Sequence, residues 1–183
     1  MRGRIEIMNI EEMLTAQKEL DQRIYDKHGL DPSALFGKKL TALIVELGEM
    51  ANEARFFKYW SEDQDPRQEL LEEYVDALHF FLSIAIIKAW ARALRSPSAY
   101  LARTDRDTED VFLETIGLLS SAYADNVDRV TYNGMERDEM AFHLAWINFM
   151  QLGIRHFHFS EQEIEAAYYI KNETNHQRQA DGY

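Results

Sequence analysis

Glu46-Leu47-Gly48-Glu49 and Glu73-Tyr74-Val75-Asp76 bracket the stretch on which the reading of this chain turns. Each is an acid-x-x-acid pair in a helical pattern, and residues three apart share a helix face because about 3.6 residues make a turn. Each helix therefore aims two carboxylates one way, and two such helices packed antiparallel bring four together. Carboxylates held that close repel unless a cation lies between them, and clustered hard oxygens suit Mg²⁺ or Mn²⁺. The stretch Glu46–Asp76, broken at Ser61-Glu62-Asp63-Gln64-Asp65-Pro66, reads as a divalent-metal site.

Working outward, apolar residues recur with a 3.6 period and strand alternation is hard to find, so the expected fold is an all-α bundle of about six to eight helices. The metal pairs fall on a helix over about Lys38–Phe57 and on one from Pro66 to about Arg95. Asp65-Pro66 supplies the second with an N-cap and a proline at its first position. From Ala77 that helix is apolar almost all round, which marks it as the buried central helix. Glu73 and Asp76 lie opposite its main stripe, so they need partners. Gly48, between the first two acids, is explained either by close helix packing or by room for a ligand. Before these helices come one from Asn9 to His28, ended by Gly29, and a short turn at Asp31-Pro32-Ser33. After them come Ser96-Pro97-Ser98 as a stop, a polar linker over Arg103–Asp107, a helix over Val111–Tyr123, a loop over Asp125–Met135 with a turn at Asn133-Gly134, a helix over Arg137–Gly153, and a last helix over about Ser160–Gln177. Ser160 and Glu163 fit a capping box.

The 183 residues favour one domain spanning 1–183, and 46% hydrophobic residues exclude a disordered composition. With no cysteine, disulfides and thiolate metal sites are excluded, which fits a cytoplasmic protein. A formal charge of −12 disfavours nucleic acid as partner, although metal ions can reverse the local sign for a small phosphate substrate. The most apolar run, Ala77–Ala91, contains His79 and Lys88 and is too short to span a bilayer.

Other groups join the acids. In the first helix, whose stripe reads Met13, Ala16, Leu20, Ile24, spacing alone makes Gln17 and Asp21 a solvent-facing amide and acid. Phe56-Phe57-Lys58-Tyr59-Trp60 is either core aromatics or a base-stacking wall with a phosphate-binding cation. His79, one turn after Asp76, reads as a supporting group, and His143, His156 and His158 as structural. In the last helix the face Tyr168, Lys171, Asn175, Arg178 is either that of an exposed C-terminal helix fraying after Gln179 or a donor-rich face aimed at an anion. Two or three hard cations on such acids would lower the pKa of a bound water for attack on a phosphoanhydride, the chemistry of a nucleotide pyrophosphohydrolase.

Glu46-x-x-Glu49 with Glu73-x-x-Asp76 resembles the metal motif of the all-α nucleoside triphosphate pyrophosphatases. Phe57-Lys58-Tyr59-Trp60, Asp76-Ala77-Leu78-His79-Phe80 and the tail Lys171-Asn172-x-x-Asn175-x-x-Arg178-Gln179-x-x-Gly182-Tyr183 are similar to the dimeric dUTPase branch. The resemblance covers most of Met8–Tyr183 and implies an all-helical homodimer that uses Mg²⁺, two or three ions per site, to split dUTP into dUMP and pyrophosphate, with dUDP as a related substrate. It implies Glu46, Glu49, Glu73 and Asp76 as metal ligands, with Glu49, or else Glu46, acting on the attacking water. It gives His79 and Asn175 to the uracil and sugar, Trp60 to the base, Gln17 to the nucleoside, and Lys58, Lys171, Arg178 and Tyr183 to the phosphates. One turn after Gln17, where the branch carries an amide, this chain has Asp21. The competing readings are the same chemistry on another or modified nucleotide, a ferritin-like di-metal bundle, and a helical interaction module without catalysis. The ferritin-like site wants two Glu-x-x-His motifs, and Asp76-x-x-His79 is the only near match.

Overall fold

Asn9 opens the first helix as expected: its side chain accepts from the Glu12 N–H, and Gly29, left-handed at φ 61°, closes it. In the computed structural model, which describes residues 8–94, 106–124, 131–132 and 134–182, this is α1 (Ile10–His28). A 3₁₀ turn at Pro32–Ala34 leads into α2 (Phe36–Ala54). There follow α3 (Leu70–Ile87), a 3₁₀ turn at Ala91–Leu94, and α4 (Thr108–Ala124). A two-residue antiparallel pairing of β1 (Thr131–Tyr132) with β2 (Met135–Glu136) precedes α5 (Arg137–Gln151), a π turn at Leu152–His156, and α6 (Glu161–Ala180). The chain is an all-α bundle with six α-helices among the described residues. The stop at 96–98, positions 103–105 of the linker, positions 125–130 and 133 of the loop, and Tyr183 lie outside the described residues.

Three boundaries of the second and third helices differ from expectation, and two of them turn on left-handed residues that periodicity does not register. α2 stops at Ala54 rather than Phe57 because Arg55 adopts φ 63° and closes its N–H on Ala51. The Arg55 guanidinium then clamps the following loop, bonding the Asp63 carbonyl and the Ser61 hydroxyl. Pro66 belongs to that loop, and α3 begins four residues later at Leu70. α3 ends at Ile87 rather than Arg95, because Ala89 turns left-handed at φ 57° and lets Trp90 fold back, its N–H on the Ala85 carbonyl at 2.8 Å. The Ser160/Glu163 capping box forms as read.

α3 is the buried centre: Ala77, Leu78, Phe81, Leu82, Ile84 and Ala85 have no exposed surface. It packs on α2, α1 and α6, while α4 packs on α5. Tyr74 of α3 stacks on Phe149 of α5 at 4.2 Å, and Phe81, Phe142 and Trp146 extend that aromatic layer. Gly48 has nothing within 4 Å of an added Cβ, so close packing does not explain it. Among the described residues no helix is long and apolar enough to cross a membrane.

Candidate active site

The packing of α2 against α3 brings Glu46, Glu49 and Glu73 together, with one oxygen from each lying within 4.8 Å of the others. Glu46 and Glu73 are half-buried and Glu49 is exposed. Burial, and then the charges of Asp76, Glu49 and Glu73, push the Glu46 carboxyl up to about 7. Glu73 is raised by the same causes, burial first and then Asp76 and Glu49. Among the described residues no lysine or arginine makes an ion pair with these three glutamates. Uncompensated hard oxygens at this spacing fit a divalent cation.

Asp76 lies close enough for its charge to act on Glu46 and Glu73 but outside that converging group. Its carboxylate accepts from the Lys171 ammonium at 2.6 Å, and the same ammonium bonds Glu72 at 2.9 Å. Of the four expected ligands the structure thus converges three and gives the fourth a lysine from α6. Glu72 was missed by sequence reasoning. Its signal was the i, i+4 spacing with Asp76, which lets one cation reach both.

A cavity of about 420 Å³ runs from these acids into the bundle. Glu46 and Asp76 line it together with Gln17, Asp21, His79 and Ser83, and Lys171, Asn175 and Arg178 reach it from α6. Gln17 and Asp21 are not at a solvent edge: each is only 3% exposed. The buried face of α1 is turned so that Ala16 and Ile24 sit at its margin and this polar pair sits inside. Burial is tolerated because both are bonded: Gln17 Nε2 donates to Asp21 at 2.9 Å, and Lys39 pairs with Asp21 at 3.2 Å.

His79 lies flat on Tyr168, ring centroids 4.4 Å apart, with Nδ1 2.7 Å from Gln17 Oε1. Burial, and after it the Lys171 charge, push its pKa down to about 3, so the ring is neutral near pH 7. Its Nε2 has no hydrogen-bond partner. With His79 turned to Gln17, the three glutamates converge without a histidine, unlike a ferritin-like centre.

Asn175 is half-buried and Arg178 exposed at the cavity wall. Lys58 and Trp60 are not brought to this cavity. They line a separate depression with Arg55 and Phe57, where Trp60 is 64% exposed and meets Phe57 and Tyr59 edge-on. His143 bonds the Ala93 carbonyl at 2.5 Å and His156 the Thr108 hydroxyl at 2.9 Å, both structural contacts.

Comparison with curated proteins gives no match. The family model for dUTPase matches residues 9–183, which include the acid cluster and almost the whole described chain. Three converging glutamates, one of them lining the cavity, and a neutral imidazole in the cavity wall agree with that match. The chain belongs to the dUTPase family and is an enzyme of the dUTP diphosphatase type.

Proposed function

We propose that this protein hydrolyses dUTP to dUMP and pyrophosphate with a divalent cation, Mg²⁺ or Mn²⁺, held by Glu46, Glu49 and Glu73. The observation that carries the reading is the convergence of these glutamates within 4.8 Å, with Glu46 lining a cavity also walled by His79. Bound divalent ions, two or three per site, would neutralise phosphate oxygens and supply a water acidic enough to attack at neutral pH. Asp76 completes the acidic set once Lys171 turns from it to a phosphate. Glu49, the exposed member of the cluster, orients the attacking water and accepts its proton, with Glu46 as the other candidate for that role. Arg178 joins Lys171 on the phosphates, as does Tyr183.

The base end favours uracil. His79 is neutral, and its Nδ1 is engaged by Gln17, which leaves Nε2 as an acceptor. Uracil presents an N–H at N3, whereas cytosine presents a bare nitrogen there. In this reading Gln17 and Asn175, which line the cavity, serve the remaining base and sugar groups. Lys58 and Trp60 join only through the 55–65 loop, which here borders its own depression. The working form in this reading is a cytoplasmic homodimer of one-domain subunits.

The test is release of pyrophosphate from dUTP, dCTP, dTTP and modified deoxynucleoside triphosphates, and of phosphate from dUDP, with Mg²⁺ and with a chelator. Release from dUTP is expected only with metal, and Glu49→Gln should lower the rate by about 10²–10⁴-fold. A protein that leaves every nucleotide intact with Mg²⁺ ends this reading. Preferential turnover of a different nucleotide would keep the chemistry and replace the substrate.

A further inference from the structure

Asp21 is a buried acid that touches no other carboxylate of the site. Its Oδ1 accepts from Gln17 Nε2 at 2.9 Å, and its Oδ2 accepts from Tyr25 Oη at 3.1 Å, Lys39 Nζ at 3.2 Å and the Ser83 hydroxyl. The Ser83 hydroxyl in turn accepts from Lys39. Four donors from three helices hold the carboxylate, three of them on Oδ2.

The order of donors and acceptors along this chain is forced. A lysine ammonium only donates, and a carboxylate only accepts. Gln17 must therefore present its NH₂ to Asp21, which turns Oε1 toward His79 Nδ1 at 2.7 Å and the Tyr168 hydroxyl at 3.2 Å. Oε1 has no hydrogen to give, so the proton of that bond sits on His79 Nδ1. We propose that Asp21, charge-paired with Lys39, is a positioning residue that fixes the amide of Gln17 and, through it, the Nδ1–H tautomer of His79.

An amide at position 21 removes the constraint. It can offer its own NH₂ to Gln17, which then turns over, presents NH₂ to His79 Nδ1 and moves the imidazole proton to Nε2. A nitrogen that accepted from the base becomes one that donates. This hydrogen-bond order does not rest on the uracil-nucleotide reading of the cavity.

The experiment uses full-length protein labelled with ¹⁵N-histidine, and reads the imidazole tautomers by long-range ¹H–¹⁵N correlation, with His79 assigned by its loss in His79→Asn. The wild type is expected to show the Nδ1–H form and Asp21→Asn to gain the Nε2–H form. Because Asp21→Asn leaves Lys39 buried without its counter-ion, the double variant Asp21→Asn with Lys39→Met is measured beside it, and there too the Nε2–H form is expected. Retention of the Nδ1–H form after Asp21 is replaced overturns the proposal. A wild type with the expected tautomer but no activity on any nucleotide would instead sink the proposed function and leave the role of Asp21 standing.

Discussion

Glu46 records the crowding of its site in its own titration. It sits half-buried beside Asp76, Glu49 and Glu73, and its pKa rises from 4.5 to about 7. The sign of the linkage follows. A carboxyl whose folded pKa lies above its unfolded value keeps its proton longer when folded, so the cost of its ionisation is absent below pH 4.5 and complete above about 7. Without metal, stability should therefore fall as pH rises from 4.5 to 7, and the raised Glu73 and Asp76 act in the same direction. Glu46→Gln should flatten that slope in thermal unfolding with a chelator present. Divalent affinity should show the opposite trend, weakening below about pH 7 because the ion must displace the Glu46 proton. A metal-free stability that is level across this range would contradict the account.

At the scale of elements, the seating of α5 against α3 depends on a residue with no side chain. A Cβ added at Gly153, in the π turn after α5, would lie 2.5 Å from the Tyr74 ring. Tyr74 has no way to yield, because it is fully buried, stacked on Phe149, and bonded through its hydroxyl to the Phe149 carbonyl at 3.3 Å. Gly153→Ala should destabilise the fold by about 1–3 kcal/mol through overpacking. Urea denaturation should show the loss as a lower midpoint with unchanged slope. α3 carries Glu73, Asp76 and His79, so a variant that shifts α3 should also weaken divalent binding.

At the scale of the whole molecule, the acid cluster joins two helices that the core already packs together, so an ion bound there stabilises the folded chain alone. By mass action, Mg²⁺ at 100 times its dissociation constant adds about 2.7 kcal/mol. For a chain of this length that is a rise of about 5–10 °C in melting temperature, reversed by a chelator. Calorimetry with and without Mg²⁺ checks it. A helical interaction module without a metal site would instead gain stability when Glu49 or Asp76 is changed to alanine, with or without the ion.

The amino-acid sequence by itself determined the helical class, the buried central helix, the capping of the first and last helices and the two acidic pairs. All of these are local: the 3.6 period and the chemistry of caps are carried by neighbours along the chain. The tertiary structure decided the rest. It buried Gln17 and Asp21, which read as solvent-facing, because their partners Lys39, His79, Ser83 and Tyr168 come from three other helices. It drew Asp76 to Lys171, 95 positions away in the chain, leaving three glutamates to converge. It also ended two helices at Arg55 and Ala89, where a left-handed backbone is held by contacts that no periodic pattern encodes. An apolar residue buries itself wherever the core lies, but a polar one is buried only where a distant group arrives to bond it, and that arrival is a property of the fold.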